Sequence, residues 1–174
     1  MHLSTVYFRR FFIFLFSLHL AAFAFGAGSP SKKSTVSAAD REKEAIELYN
    51  SGTQLLFESN YEAAEKALKK ALKKNKKLAE AHNNLAFALR KQGAKQFKQA
   101  LKHYNTAIEI DSEIAEARMY RGVLYVAMGE EALAKNDLKW LQSNSQKLAV
   151  ELEWVIENGK EKEPAQFFGV SQRI

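Results

Sequence analysis

The stretch LRKQGAKQFKQA, Leu89 to Ala100, is where the chain falls out of step with itself. Up to Leu89, small and apolar landmarks recur after 34 and then 36 residues: Gly52, Ala86 and Gly122 form one series, Leu55, Leu89 and Tyr125 another. From Ala64 onward a second group shows the reverse order. Ala64, Ala100 and Ala134 are spaced 36 and then 34, and so are Leu68, Tyr104 and Leu138, and Ala71, Ala107 and Leu141. One insertion of two residues between Leu89 and Ala100 accounts for every series. Gly93-Ala94-Lys95-Gln96 is the natural place for it, because a glycine there breaks the helical pattern. Allowing for that insertion, the chain holds three copies of one unit, over 45–78, 79–114 and 115–142. A fixed period of this length is the mark of a stacked-repeat architecture.

Each unit predicts two helices of about 12 to 14 residues. In the second unit Asn84 begins the turn and Leu85, Ala88 and Leu89 form the apolar stripe of the first helix. Ala64, Ala67, Leu68, Ala71 and Leu72 do the same for the second helix of unit one. Breaks are expected at Ser59-Asn60, Gly93, Asp111-Ser112 and Gly129. A single hairpin of this size cannot cover its own apolar face, so the units must stack, and the last one needs a cap. A helix over 145–158 supplies it, with Leu148, Leu152, Val155 and Ile156 inward and Trp154 beside them. Ser143 or Ser145 can act as its N-cap, Asn158-Gly159 as its stop, and Trp140 is expected to bury against it. The fold class is therefore all-α: an α-solenoid of three helix hairpins plus a C-terminal capping helix. On this reading the run KALKKALKKNKK, Lys66 to Lys77, is an ordinary amphipathic helix. Its lysines form the wet face, and those near its end oppose the helix dipole favourably.

Helix–turn–helix units of about 34 residues, with small residues where helices cross, resemble the tetratricopeptide repeat family. The residues that carry the resemblance are Gly52, Leu55, Ala64, Leu68 and Ala71 in unit one and Leu85, Ala86, Leu89, Ala100, Tyr104 and Ala107 in unit two. In unit three they are Gly122, Tyr125, Ala134 and Leu138. The chain departs from the family pattern where Trp is usual, having Leu48, His82 and Arg118, and where Pro is usual, having Lys76 and Ser112. The resemblance implies that the α-solenoid is right-handed and has a concave groove lined by the first helices, in which a peptide or helix of a partner docks. The matching positions are Ile46, Tyr49, Thr53 and Leu56, then Glu80, Asn83, Phe87 and Arg90, then Glu116, Met119, Val123 and Val126. Contacts are expected above all from Tyr49, Thr53, Leu56, Asn83, Phe87, Arg90, Met119, Val123 and Val126. The Lys and Asn pattern with which some family members grip a chaperone's C-terminal carboxylate is missing. Tyr49, Thr53, Phe87, Glu116 and Tyr120 stand at those places.

Outside the repeats, the first 28 residues hold seven of the twelve Phe and no acid. Arg9-Arg10, the apolar run Phe11–Phe25 and small residues around Gly26 predict a signal peptide over 1–26, cleaved near Gly26. Export to a bacterial periplasm follows. Retention as an anchor is disfavoured, because the apolar run is too short for a bilayer. A flexible linker is expected over 27–40. Without the leader the net charge falls from +6 to +4, since 24 basic residues then face 20 acidic ones.

The absence of cysteine excludes disulfides and thiol chemistry. After the leader only His82 and His103 remain, 21 residues apart, and no nucleophile elbow, phosphate loop or paired-carboxylate motif is present. No catalysis, cofactor or metal is expected. Nucleic acid is not expected either, because the lysines cluster on one helix without interleaved aromatics. The expected role is that of an adaptor binding another protein. The alternative is electrostatic contact of Lys69, Lys70, Lys73, Lys74, Lys76 and Lys77 with anionic membrane or cell-wall polymer. The tail, 160–174, carries Phe167-Phe168, which can fold back on the cap helix, fill the groove or hold a partner; folding back is the expectation.

Overall fold

Seven α-helices follow one another, with no strand among the residues that the computed structural model describes, 37–162 and 170–171. The leader and most of the linker lie outside the described residues, as do Phe167 and Phe168. The helices are α1 (Ala38–Phe57), α2 (Tyr61–Lys74), α3 (Ala79–Lys91), α4 (Phe97–Ile110), α5 (Ala115–Ala127), α6 (Glu131–Asn144) and α7 (Gln146–Asn158). α2 to α7 have 13 or 14 residues, as the pattern predicts.

α1 is longer, at 20 residues, and begins inside the stretch expected to be linker. The reason is a capping box. The Ser37 hydroxyl accepts from the Asp40 amide at 3.0 Å, and the Asp40 carboxylate accepts from the Ser37 amide at 3.3 Å. Two orphan donors are thereby satisfied, and the helix-forming run Ala38-Ala39 continues directly from the cap.

The predicted breaks fall where the turn chemistry requires them. Asn60 caps α2 by accepting from the Ala63 amide. The two-residue insertion is a single 3-10 turn, Ala94–Gln96, entered through Gly93 at φ 107°. A side chain at that φ would be strained, so glycine is what lets the extra residues turn out and α4 resume in register. α7 ends at Gly159, which is left-handed as a C-terminal glycine stop should be. Ser145 stands at its N-cap position but makes no side-chain capping bond.

α1 packs on α2, α3 on α4 and α5 on α6, while α2 touches α3 and α4 touches α5. The first helices also meet one another, α1 with α3 and α3 with α5, and α7 covers both α5 and α6. The backbones of the second helices α2, α4 and α6 do not approach one another as closely. The chain is thus an all-α solenoid, drawn together along its first-helix layer and spread along the other. Close approach depends on small residues. A Cβ added at Gly52 would stand 2.7 Å from Leu68 Cγ, and one at Gly122 would stand 2.5 Å from Leu152 Cδ2. The stripe alanines Ala64, Ala71, Ala100, Ala107 and Ala134 are completely buried.

The lysine-rich helix behaves as its pattern predicts. Ala64, Leu68 and Ala71 are buried, while Lys66, Lys70, Lys73, Lys74, Lys76 and Lys77 are exposed. Lys69 pairs with Glu65, and Lys74 reaches Glu44 of α1 at 2.7 Å. Trp140 is half-buried, and the Arg118 guanidinium stacks on its ring at 4.2 Å. In the third hairpin Arg121 grips Asp137 with two bonds of 2.9 and 2.6 Å.

Candidate functional site

α3 reads AEAHNNLAFALRK, and every residue from Asn83 to Arg90 is buried. Eight consecutive buried positions span more than two turns, so this helix is enclosed on all sides. Two asparagines and an arginine are among them. Enclosed polar groups must find partners or destabilise the fold by a few kcal/mol each. Part of what encloses them is the chain's own C-terminal segment. Val170 and Ser171 are buried against the first-helix layer.

Asn84 holds the main chain of Ser171 with both ends of its amide. Its Oδ1 accepts from the Ser171 amide at 2.9 Å, and its Nδ2 donates to the Ser171 carbonyl at 3.0 Å. The same Nδ2 donates to the Thr53 hydroxyl at 3.0 Å, which fixes the orientation of the amide from α1. The Tyr49 hydroxyl donates to the Ser171 carbonyl at 2.8 Å. The Ser171 side chain is met separately, by Asn83 Nδ2 at 3.0 Å. Burial pushes the Tyr49 phenol well above its ordinary range, although Thr53 and Asn84 pull the other way, so it stays a neutral donor.

Two turns along α3, Arg90 is the second polar anchor. Its side chain is 5% exposed and forms a fork with Glu161, at 2.7 and 3.1 Å. Its guanidinium lies 4.8 Å from the centroid of the Tyr120 ring and 5.3 Å from that of Phe87. Phe87 and Tyr120 in turn meet ring to ring, their centroids 4.8 Å apart and their planes tilted by 42°. Burial disfavours charge on both partners, but mutual attraction overcomes it. Arg90, beside Tyr104 and Glu161, is held above its usual range, and Glu161, facing Arg90 and Lys91, is held below its own. Lys162 continues the tail onto α7, 2.9 Å from Glu151 and over the Trp154 ring.

The nine residues expected to line a groove separate into three groups. Tyr49, Thr53 and Asn83 gather around Ser171, while Arg90 holds Glu161 and lies over Phe87. Leu56, Met119 and Val123 are buried in the apolar core, and Val126 is half-buried against it. Asn84, Glu161, Val170 and Ser171 were not among the expected residues. The expected fold-back concerns Phe167-Phe168, which lie outside the described residues. Lys162 does meet α7, but Val170 and Ser171 lie against α1 and α3, where buried hydrogen-bond donors and acceptors wait for a backbone.

On another side of the second hairpin, His82 and His103 face each other, Nδ1 to Nδ1 at 2.9 Å. His82 Nε2 lies 3.2 Å from the Lys76 carbonyl. A carbonyl can only accept, so His82 carries its proton on Nε2 and receives one from His103. Burial lowers both pKa values, that of His103 to about 4, helped by the neighbouring His82, Lys69 and Lys102. Among the described residues no group of three or more His, Cys, Asp or Glu is placed to hold a metal ion. No described helix is long and apolar enough to cross a membrane.

The sequence matches no protein-family model and no curated protein. Among solved structures it is similar to a chain of the one described as "CopN-Scc3 complex", with 18% identity and a TM-score of 0.54. That similarity covers 85% of this chain and 89% of the other. At this identity the likeness is one of fold, and the fold shared is a helical repeat.

Proposed function

We propose that this chain is an exported, non-catalytic adaptor of the tetratricopeptide type, whose first-helix layer captures an extended segment of another protein. The observation that carries the reading is Asn84. A buried side-chain amide, braced by Thr53, meets the N–H and C=O of one residue, which is how a strand's backbone is read without regard to its side chain. Tyr49 and Arg90 are among the residue types that dominate binding hot spots. The fold neighbour is a component of a two-protein complex, which agrees with this class of role. Export is supported by the basic and apolar leader, Arg9 to Phe25.

The test is capture from the native envelope with the mature chain, beside its Asn84→Leu variant. A protein retained at both about 50 and about 500 mM salt, and lost on Asn84→Leu, is the expected result. A ligand that dissociates as salt rises, and is lost instead on Lys70→Glu with Lys73→Glu, would replace the adaptor with electrostatic attachment to an anionic surface.

A further inference from the structure

The seated tail indicates what the site takes and how it is controlled. We infer that the first-helix layer is loaded in cis by the chain's own C-terminal segment, and that a partner segment of the same chemistry must displace it. This rests on the adaptor reading above. Three contacts define the chemistry. Asn84 reads the N–H and C=O of one backbone residue, Asn83 reads a small hydroxyl side chain, and Arg90 reads a carboxylate. Val170, 1% exposed, adds a small apolar residue next to the serine. The partner is therefore an acidic segment carrying a small apolar residue followed by serine.

None of these tail residues belongs to a repeat, and each of their polar contacts can be reproduced by an incoming peptide. The aromatic bed of Phe87 and Tyr120 under Arg90 belongs to the repeats and stays in place when the carboxylate changes. A tethered segment acts at an effective concentration of about 1 mM. A free peptide that binds the open site with a dissociation constant of about 10 to 100 μM therefore appears roughly 10- to 100-fold weaker while the tail is seated.

The test uses a fluorescein-labelled synthetic peptide of residues 160–174 added to the mature full-length chain. The comparison is the same chain carrying Val170→Asp and Ser171→Pro, which removes the apolar contact and the amide that Asn84 holds. Far-UV circular dichroism and melting check that both proteins are folded. The double variant is expected to bind the peptide about 10- to 100-fold more tightly than wild type, and adding Asn84→Leu is expected to abolish that binding. Equal affinity for wild type and double variant overturns the inference, as does failure of both folded proteins to bind. The adaptor reading is scored separately. If envelope capture depends on Asn84 yet is unchanged by the double variant, cis loading falls and the adaptor stands. If capture ignores Asn84, the adaptor falls as well.

Discussion

α2 and α3 are consecutive helices of 14 and 13 residues, and they carry their polar groups in opposite ways. α2 has seven lysines within and just beyond it, and they lie along its outward face with a narrow stripe of Ala64, Leu68 and Ala71 turned in. α3 has fewer charges and is buried for more than two turns, with Asn83, Asn84 and Arg90 inside. Charge density draws the eye to α2, yet a solvated lysine needs no partner and implies none. An enclosed asparagine does need one. Polar residues on the helix that cannot reach water are therefore the better guide to what the molecule binds.

That contrast is broken most completely by placing charge in the buried alanine stripe of α4. Ala100→Asp or Ala107→Glu puts an unpaired carboxylate into a fully buried stripe position. The expected loss is about 4 kcal/mol or more, close to the whole stability of a domain this size. Urea unfolding followed by circular dichroism checks it. A stable, cooperatively unfolding Ala107→Glu protein would mean that the hairpins do not interlock as described.

A smaller change of the same kind is Gly52→Ala. The new methyl would stand 2.7 Å from Leu68 Cγ, a branch atom of a fully buried side chain that has no room to swing aside. Overpacking of this sort costs about 1–3 kcal/mol, against which the alanine gains up to about 1 kcal/mol of helix propensity. Net destabilisation of about 1–2 kcal/mol is expected, read as a lower urea midpoint at unchanged slope. Gly122→Ala should behave alike, because the new methyl would stand 2.5 and 2.8 Å from the methyls of Leu152, which is just as fully buried.

The repeats were legible because their signal is local and redundant. Five landmark series agree on one insertion, and the 3-10 turn at Ala94–Gln96 is that insertion. α1 starts earlier than the repeat pattern predicts because Ser37 and Asp40, polar residues typical of a linker, form a capping box. The site was harder. Asn84 touches Ser171 across 87 residues, and Arg90 touches Glu161 across 71, so no spacing within a motif connects them. A usable trace existed all the same. Asn83-Asn84 interrupts a helix stripe otherwise made of Ala, Leu and Phe, and two poor helix formers in a helix about to be enclosed ask what they bond. Reading Asn84 as the start of a turn passed over that question. The Phe pair in the tail drew attention for its apolarity, while the described contacts are made by Glu161, Val170 and Ser171.

The histidine pair sharpens the comparison at an intermediate scale, since it too is polar and half enclosed at the edge of α3. Both pKa values are lower in the folded chain than the usual value near 6.5, so the unfolded chain binds more protons between about pH 6.5 and about pH 4. Stability is therefore complete above about pH 6.5 and is lost as pH falls toward about 4, by roughly 1–2 kcal/mol after allowing for partial solvent screening. Melting temperatures across that range should fall in wild type and flatten in the double variant His82→Gln, His103→Gln. An unchanged slope in the double variant would assign the acid sensitivity to other groups.

The smallest effect belongs to the most conspicuous sequence. Lys66, Lys70, Lys73, Lys76 and Lys77 are exposed and join no ion pair among the described residues. Replacing Lys70 and Lys73 with glutamine removes two charges from a wet surface and leaves the buried stripe untouched, so stability should move by no more than about 0.5 kcal/mol. Lys74 differs only through Glu44, a pair that is itself solvent-facing at both ends, so Lys74→Gln should also stay within about 0.5 kcal/mol. The informative measurement sets these beside Asn84→Leu in one assay for captured protein. If capture survives the glutamines and is lost with Asn84, the enclosed helix is the one that carries recognition. If the order is reversed, charge density was the better guide after all, and the tail's contacts with α3 are those of a structural strap.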